Sequence, residues 1–137
     1  MHLDEQEILV RVVAYFIATS VVAIPWHMGV FAEVYTQLKV FRQDVILPLG
    51  LFSMLMQGAI FSWTYPRLFD TGRTTWFRSG LRFSLWAGLL AWSCLVLPIA
   101  AKYHMASVGG FVMVESAFVA VWFLVAGPMM AFAHRTT

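Results

Sequence analysis

One carboxylate, Glu115, stands inside the last of four long apolar stretches that fill most of this 137-residue chain. A carboxyl group that deep in hydrocarbon costs several kcal/mol unless it is protonated, paired or hydrated, so its position alone marks it as a functional candidate. Two histidines follow it in interest. His27 and His104 fall just beyond the first and third apolar stretches, each with a methionine beside it, Met28 and Met105. Imidazole with thioether suits copper, and two imidazoles from facing helices could hold a haem iron. A histidine next to Trp26 or Tyr103 at a membrane boundary also reads as an ordinary interfacial residue, amphipathic and wet at its tip. The paired His at i, i+4 that a metal site often shows is missing. His2 and His134, near the two ends, are expected in water.

The elements that must position these groups follow from hydropathy. Apolar residues make up 61% of the chain and charged residues 12%, against about 25% charged in soluble domains. The expected fold is all-α, a polytopic membrane protein with a single four-span domain over residues 1–137. Its spans cover about 8–26, 45–65, 80–101 and 106–133; the first three are close to the ~20 residues that cross a bilayer, and the fourth is long enough to tilt or protrude. Arg11 near the start of the first span is expected to snorkel to the interface. Between the first two spans, Phe31, Val34, Tyr35, Leu38 and Phe41 recur at helical spacing, with Glu33, Gln37, Lys39, Arg42 and Gln43 opposite. That pattern predicts an interfacial amphipathic helix over about 31–44.

Depth brings other polar residues level with Glu115. It lies about nine residues into its span, roughly 13 Å down at 1.5 Å per residue. Thr19 and Ser20, Ser53, and Ser93 reach similar depth on the other three spans, and Gln57 sits one turn beyond Ser53. One reading makes this polar intramembrane layer the hydrogen-bonding glue of a bundle, with a neutral Glu115 donating to Gln57 or a serine. The other makes Glu115 a proton or cation relay oriented by Gln57. The absence of a cationic partner within the spans favours the first.

Lysine and arginine counts in the short loops set orientation. With both termini on one side, that side holds Arg11, Arg67, Arg73, Arg78, Arg82 and Arg135, and the other Lys39, Arg42 and Lys102. Both termini are therefore expected in the cytoplasm. The acidic first residues lack the basic region of a secretory signal, so the first stretch reads as a retained span. A net charge of +2 with no basic run excludes a nucleic-acid footprint. The single cysteine, Cys94, excludes an internal disulfide and reads as a small buried hydrophobe. No phosphate-binding loop, HExxH or nucleophile elbow is present, so no catalytic residue is assigned. Gly80 with Ser84, and Gly88 with Trp92, form no strong helix-dimer motif.

The run Trp26-His27-Met28-Gly29-Val30-Phe31, followed by Pro48, Gly50, Ser53-Met54 and Gln57-Gly58, resembles a family of small, uncharacterised bacterial four-helix integral membrane proteins. The resemblance implies four spans and a bacterial inner membrane, and brings no activity and no residue roles. The leading expectation is a non-catalytic accessory subunit that packs against a larger membrane protein complex, because little chain lies outside the spans. One alternative is a small-solute, proton or cation carrier, as a homo-oligomer, using Glu115. Another is an outward-facing haem or copper site using His27 and His104. Membrane lipid is the expected partner throughout.

Overall fold

The structure, a computed structural model, describes residues 5–42 and 44–135. Every regular element among them is helical. Helix α1 (Glu5–Pro25) runs on through a π-helical turn, Trp26–Val30, into the short α2 (Ala32–Leu38). Helix α3 spans Leu47–Leu68 and α4 spans Trp76–Ala91. A second π-turn, Trp92–Val96, joins α4 to α5 (Leu97–Lys102), and α6 covers Val108–His134. Four helical runs are long and apolar enough to cross a membrane: Glu5–Val30, Leu47–Leu68, Trp76–Lys102 and Val108–His134.

Local chemistry sets the boundaries. Pro48 opens α3, where a missing N–H is harmless. The Ser107 side chain caps α6 by accepting from the Gly110 N–H at 3.0 Å. Between α3 and α4, Asp70 accepts from the Gly72 N–H at 2.9 Å and the Thr75 hydroxyl at 2.6 Å. Those hydrogen bonds, led by that of Thr75, hold its carboxyl below the usual carboxylate range. Each π-turn adjoins a proline, Pro25 before the first and Pro98 after the second, and prolines disturb the i→i−4 ladder.

Helix α6 lies at the centre, packed on α1 along one side and α4 along the other, while α3 rests on α1. The α4–α6 contact is close because small residues meet there. A Cβ on Gly80 would stand 2.9 Å from the Pro128 Cα, and one on Gly127 would strike the Ser84 hydroxyl and the Gly80 carbonyl. Ser84 donates across the contact to the Phe123 carbonyl at 2.6 Å. The Gly80 and Ser84 spacing thus serves a contact inside the chain. Toward the chain termini, Phe61 of α3 meets Phe83 of α4 at 5.1 Å and Phe123 of α6 at 6.3 Å. Large apolar residues such as Met113, 73% exposed, cover the outward faces, where a spanning bundle meets hydrocarbon.

Several expectations are corrected. The predicted helix over 31–44 stops at Leu38, where Lys39 adopts a left-handed conformation (φ 57°). The Leu38 carbonyl instead accepts from the Ala106 N–H at 3.0 Å, tying this corner to the start of α6. Arg11 reaches one turn back toward the start of α1, where its Nη2 pairs with the exposed Glu7 at 3.0 Å, while its Nε and Nη1 are buried. His134 is not solvated but 1% exposed, with Nδ1 2.7 Å from the Met130 carbonyl and Nε2 3.1 Å from the Ser62 carbonyl. Burial there follows from the Tyr65 ring, 4.6 Å away, closing over it. Cys94 is exposed rather than buried. His2 lies outside the described residues, as does Gln43.

Candidate functional site

The buried face of α1 carries polar residues a turn or two apart: Tyr15, Thr19, and then Trp26 and His27 where the helix widens into its π-turn. The Phe31 N–H reaches back to the Trp26 carbonyl at 3.0 Å, an i→i−5 bond. Such insertions recur at functional sites because they re-aim side chains that a regular helix would place elsewhere. Here the turn carries His27 inward, against α6, and brings the chain round so that α2 returns beside it.

Glu115 projects from α6 into this corner and is 8% exposed. The Tyr35 hydroxyl, on α2, donates to its Oε1, and the Trp26 indole N–H donates to the same hydroxyl at 3.2 Å. His27 Nε2 stands 3.4 Å from Oε1, an ion-pair distance. The other ring nitrogen, Nδ1, is 3.0 Å from the Ala23 carbonyl, which can only accept, so Nδ1 carries a hydrogen. Nε2 thus faces a carboxyl oxygen within ion-pair reach, and the two groups together form a protonatable pair. With one proton on either the imidazole Nε2 or the carboxyl, such a pair is net neutral.

Aromatic rings hold the arrangement. The His27 ring stacks on Tyr35 at 4.8 Å and meets Phe118 edge-on at 4.4 Å. Phe41, from the segment after α2, covers it and touches Tyr35 at 5.2 Å. Burial, and then the hydrogen bond to Glu115, push the Tyr35 hydroxyl well above its ordinary value, so it stays a donor.

Beside this cluster lies an open cavity of about 850 Å³. His27 and Tyr35 form part of its wall, with Thr19, Ser53, Met54 and Gln57 further along. Its surface is mostly apolar. Leu95, Ile99 and Tyr103 of the third spanning run face α3 across it.

The polar layer expected around Glu115 is therefore distributed. Gln57 accepts from the Tyr15 hydroxyl at 3.0 Å rather than bonding Glu115. Thr19 accepts from the Trp122 indole at 2.9 Å, and Ser20 donates to the Met54 sulfur at 3.6 Å. Ser53 and Ser93 donate to their own helices, at the Gly50 and Leu90 carbonyls. Thr19, Ser53 and Gln57 line the cavity, whereas Ser20 and Ser93 do not. The ionisable partner that Glu115 lacked in the sequence is His27, 3.4 Å away. His104 is exposed and Met28 half exposed, while Met105 packs partly on the core. With both nitrogens of His27 engaged by protein groups, the set His27, His104, Met28 and Met105 is not gathered as a ligand shell. Among the described residues no three of His, Cys, Asp and Glu come together to hold a metal.

Sequence reasoning missed Tyr35 and Trp26 as members of the site. Tyr35 was legible only as part of an apolar stripe, which does mark it as inward-facing. Comparison of the chain with protein-family models, curated proteins and solved structures gives no match.

Proposed function

We propose that the protein is a small-solute carrier of the membrane, with the cavity as its binding site and the His27–Glu115 pair as the element that takes up a proton. One observation carries the reading: a buried carboxyl 3.4 Å from an imidazole that itself lines an open cavity. A shared proton at a cavity wall is a means of coupling solute occupancy to protonation, since a second proton would charge the pair. Intramembrane carboxylate and histidine groups in such positions commonly serve proton relays. Glu115 then acts as proton acceptor, His27 as its partner and Tyr35 as the group that orients both. The reading involves no bond-making chemistry, in keeping with a sequence that carries no catalytic motif.

The same proposal places the chain in a bacterial inner membrane with both termini in the cytoplasm, supported by the six-to-three division of cations. The cavity then opens in the outer half, and α2 lies at the outer interface. The accessory-subunit reading keeps the short connections between spans as its support; it requires a fixed partner that co-purifies in mild detergent.

Infrared difference spectroscopy of the reconstituted protein, stepped from alkaline to acid buffer, tests the protonation. A buried carboxyl band that appears on acidification and is missing in Glu115→Gln is the expected result. A spectrum that is the same in both proteins contradicts it.

A further inference from the structure

The charges around the cavity restrict what it can hold. Among the described residues lining it, the ionisable ones are His27, Tyr35, Arg42 and Tyr103. His27 faces the Glu115 carboxyl at 3.4 Å, so any charge on its ring has a counter-charge within reach. Arg42 is matched by Asp44, its Nε and Nη2 standing 3.2 and 2.9 Å from the two carboxylate oxygens. Each basic group on the wall thus has a carboxylate of the protein beside it, and the described lining residues include no carboxylate for a cationic ligand. A charged ligand entering a mostly apolar, low-dielectric cavity without a counter-charge meets a desolvation cost that nothing offsets.

Hydrogen-bonding capacity, by contrast, is left over. Gln57 takes the Tyr15 hydroxyl on its carbonyl oxygen, so its side-chain N–H groups remain to donate. Ser53 donates to the Gly50 carbonyl and keeps its oxygen lone pairs. The wall thus offers a donor and an acceptor side by side, one turn apart on α3, to a group that can use either.

Access comes from the side. Helix α3 packs on α1, but it makes no comparable contact with α5 across the cavity. The mouth lies between two apolar helices, with Leu47 and Leu95 both half exposed at its edges. A gap between spanning helices opens to hydrocarbon, and the solute arrives dissolved in lipid.

We infer that the cavity takes an uncharged, lipid-soluble alcohol, whose hydroxyl accepts from the Gln57 side-chain N–H and donates to the Ser53 oxygen and whose chain leaves between α3 and α5. The inference rests on the carrier reading for the site and adds the class of solute.

The test uses three photoreactive ten-carbon probes: decanol, decyl sulfate and decyltrimethylammonium, each bearing a diazirine, added to the reconstituted full chain. Labelled peptides are then mapped by mass spectrometry. The decanol probe should label Leu47–Gln57 and Leu95–Tyr103 saturably, at least fivefold above either charged probe. Gln57→Leu should weaken that labelling several-fold. Gly50→Leu, on the rim where an added Cβ meets nothing within 4 Å, should block it without disturbing the fold. Equal or stronger labelling by a charged probe overturns the inference and leaves a binding cavity standing. Absence of saturable labelling by all three overturns the cavity as a binding site as well.

Discussion

At the scale of single residues, the account turns on three side chains whose roles differ. Glu115 supplies the buried carboxyl, His27 faces it at ion-pair distance, and Tyr35 ties the carboxyl to Trp26. Tyr35→Phe removes one donor from a buried carboxyl and one acceptor from an indole. The expected loss is about 1–3 kcal/mol, seen as a lower unfolding temperature in detergent. The pH dependence has a definite sign. Because the folded protein raises the Tyr35 hydroxyl, its contribution is complete below the unfolded value of about 10 and fades as pH climbs through the folded one. Alkaline titration should therefore destabilise the wild type more steeply than Tyr35→Phe. Both Glu115 and His27 were legible in the sequence, each as a costly or unusual residue, but their meeting was not. Counting residues put His27 at the boundary and Glu115 about 13 Å below it. The π-turn carries the first run on to Val30, and α6 begins only at Val108. These two shifts narrow the gap in depth, and the two side chains bridge the rest. No short-range pattern announces a π-turn, so hydropathy alone could not supply the second half of the site.

The elements show the same division between what periodicity and hydropathy reveal and what contacts decide. Four runs of apolar residues suffice to place four long helices, since a bilayer-sized apolar segment has few other ways to satisfy its backbone. The end of α2 was hidden, because the pattern of Phe41 and Arg42 continues a helix that the chain in fact leaves. A hydrogen bond from Ala106, over sixty residues away, claims the Leu38 carbonyl. Glycines likewise divide by their surroundings. Gly127→Ala sets a methyl group against the Ser84 hydroxyl and the Gly80 backbone. Overpacking of this kind costs about 1–3 kcal/mol, more than the helix propensity of up to ~1 kcal/mol that alanine adds. Gly50→Ala meets open space and should gain up to that same ~1 kcal/mol. Thermal unfolding of the two variants in one detergent, with opposite signs of shift, checks the packing of α4 on α6.

For the whole molecule, a central α6 flanked by α1 and α4 leaves α3 attached along one side. The bundle is drawn together at one end by the Phe61, Phe83 and Phe123 rings and open at the other, where the cavity lies. An open end beside a protonatable pair is the arrangement that a coupled carrier requires, and coupling between two ligands is reciprocal: if a proton alters the affinity for solute, solute alters the affinity for the proton. The most direct measurement is saturable labelling by the photoreactive decanol across a range of pH, in the wild type and in Glu115→Gln. The account predicts an apparent affinity that changes with pH in the wild type and is flat in Glu115→Gln. The same pH dependence in both proteins, or none in the wild type, would contradict it.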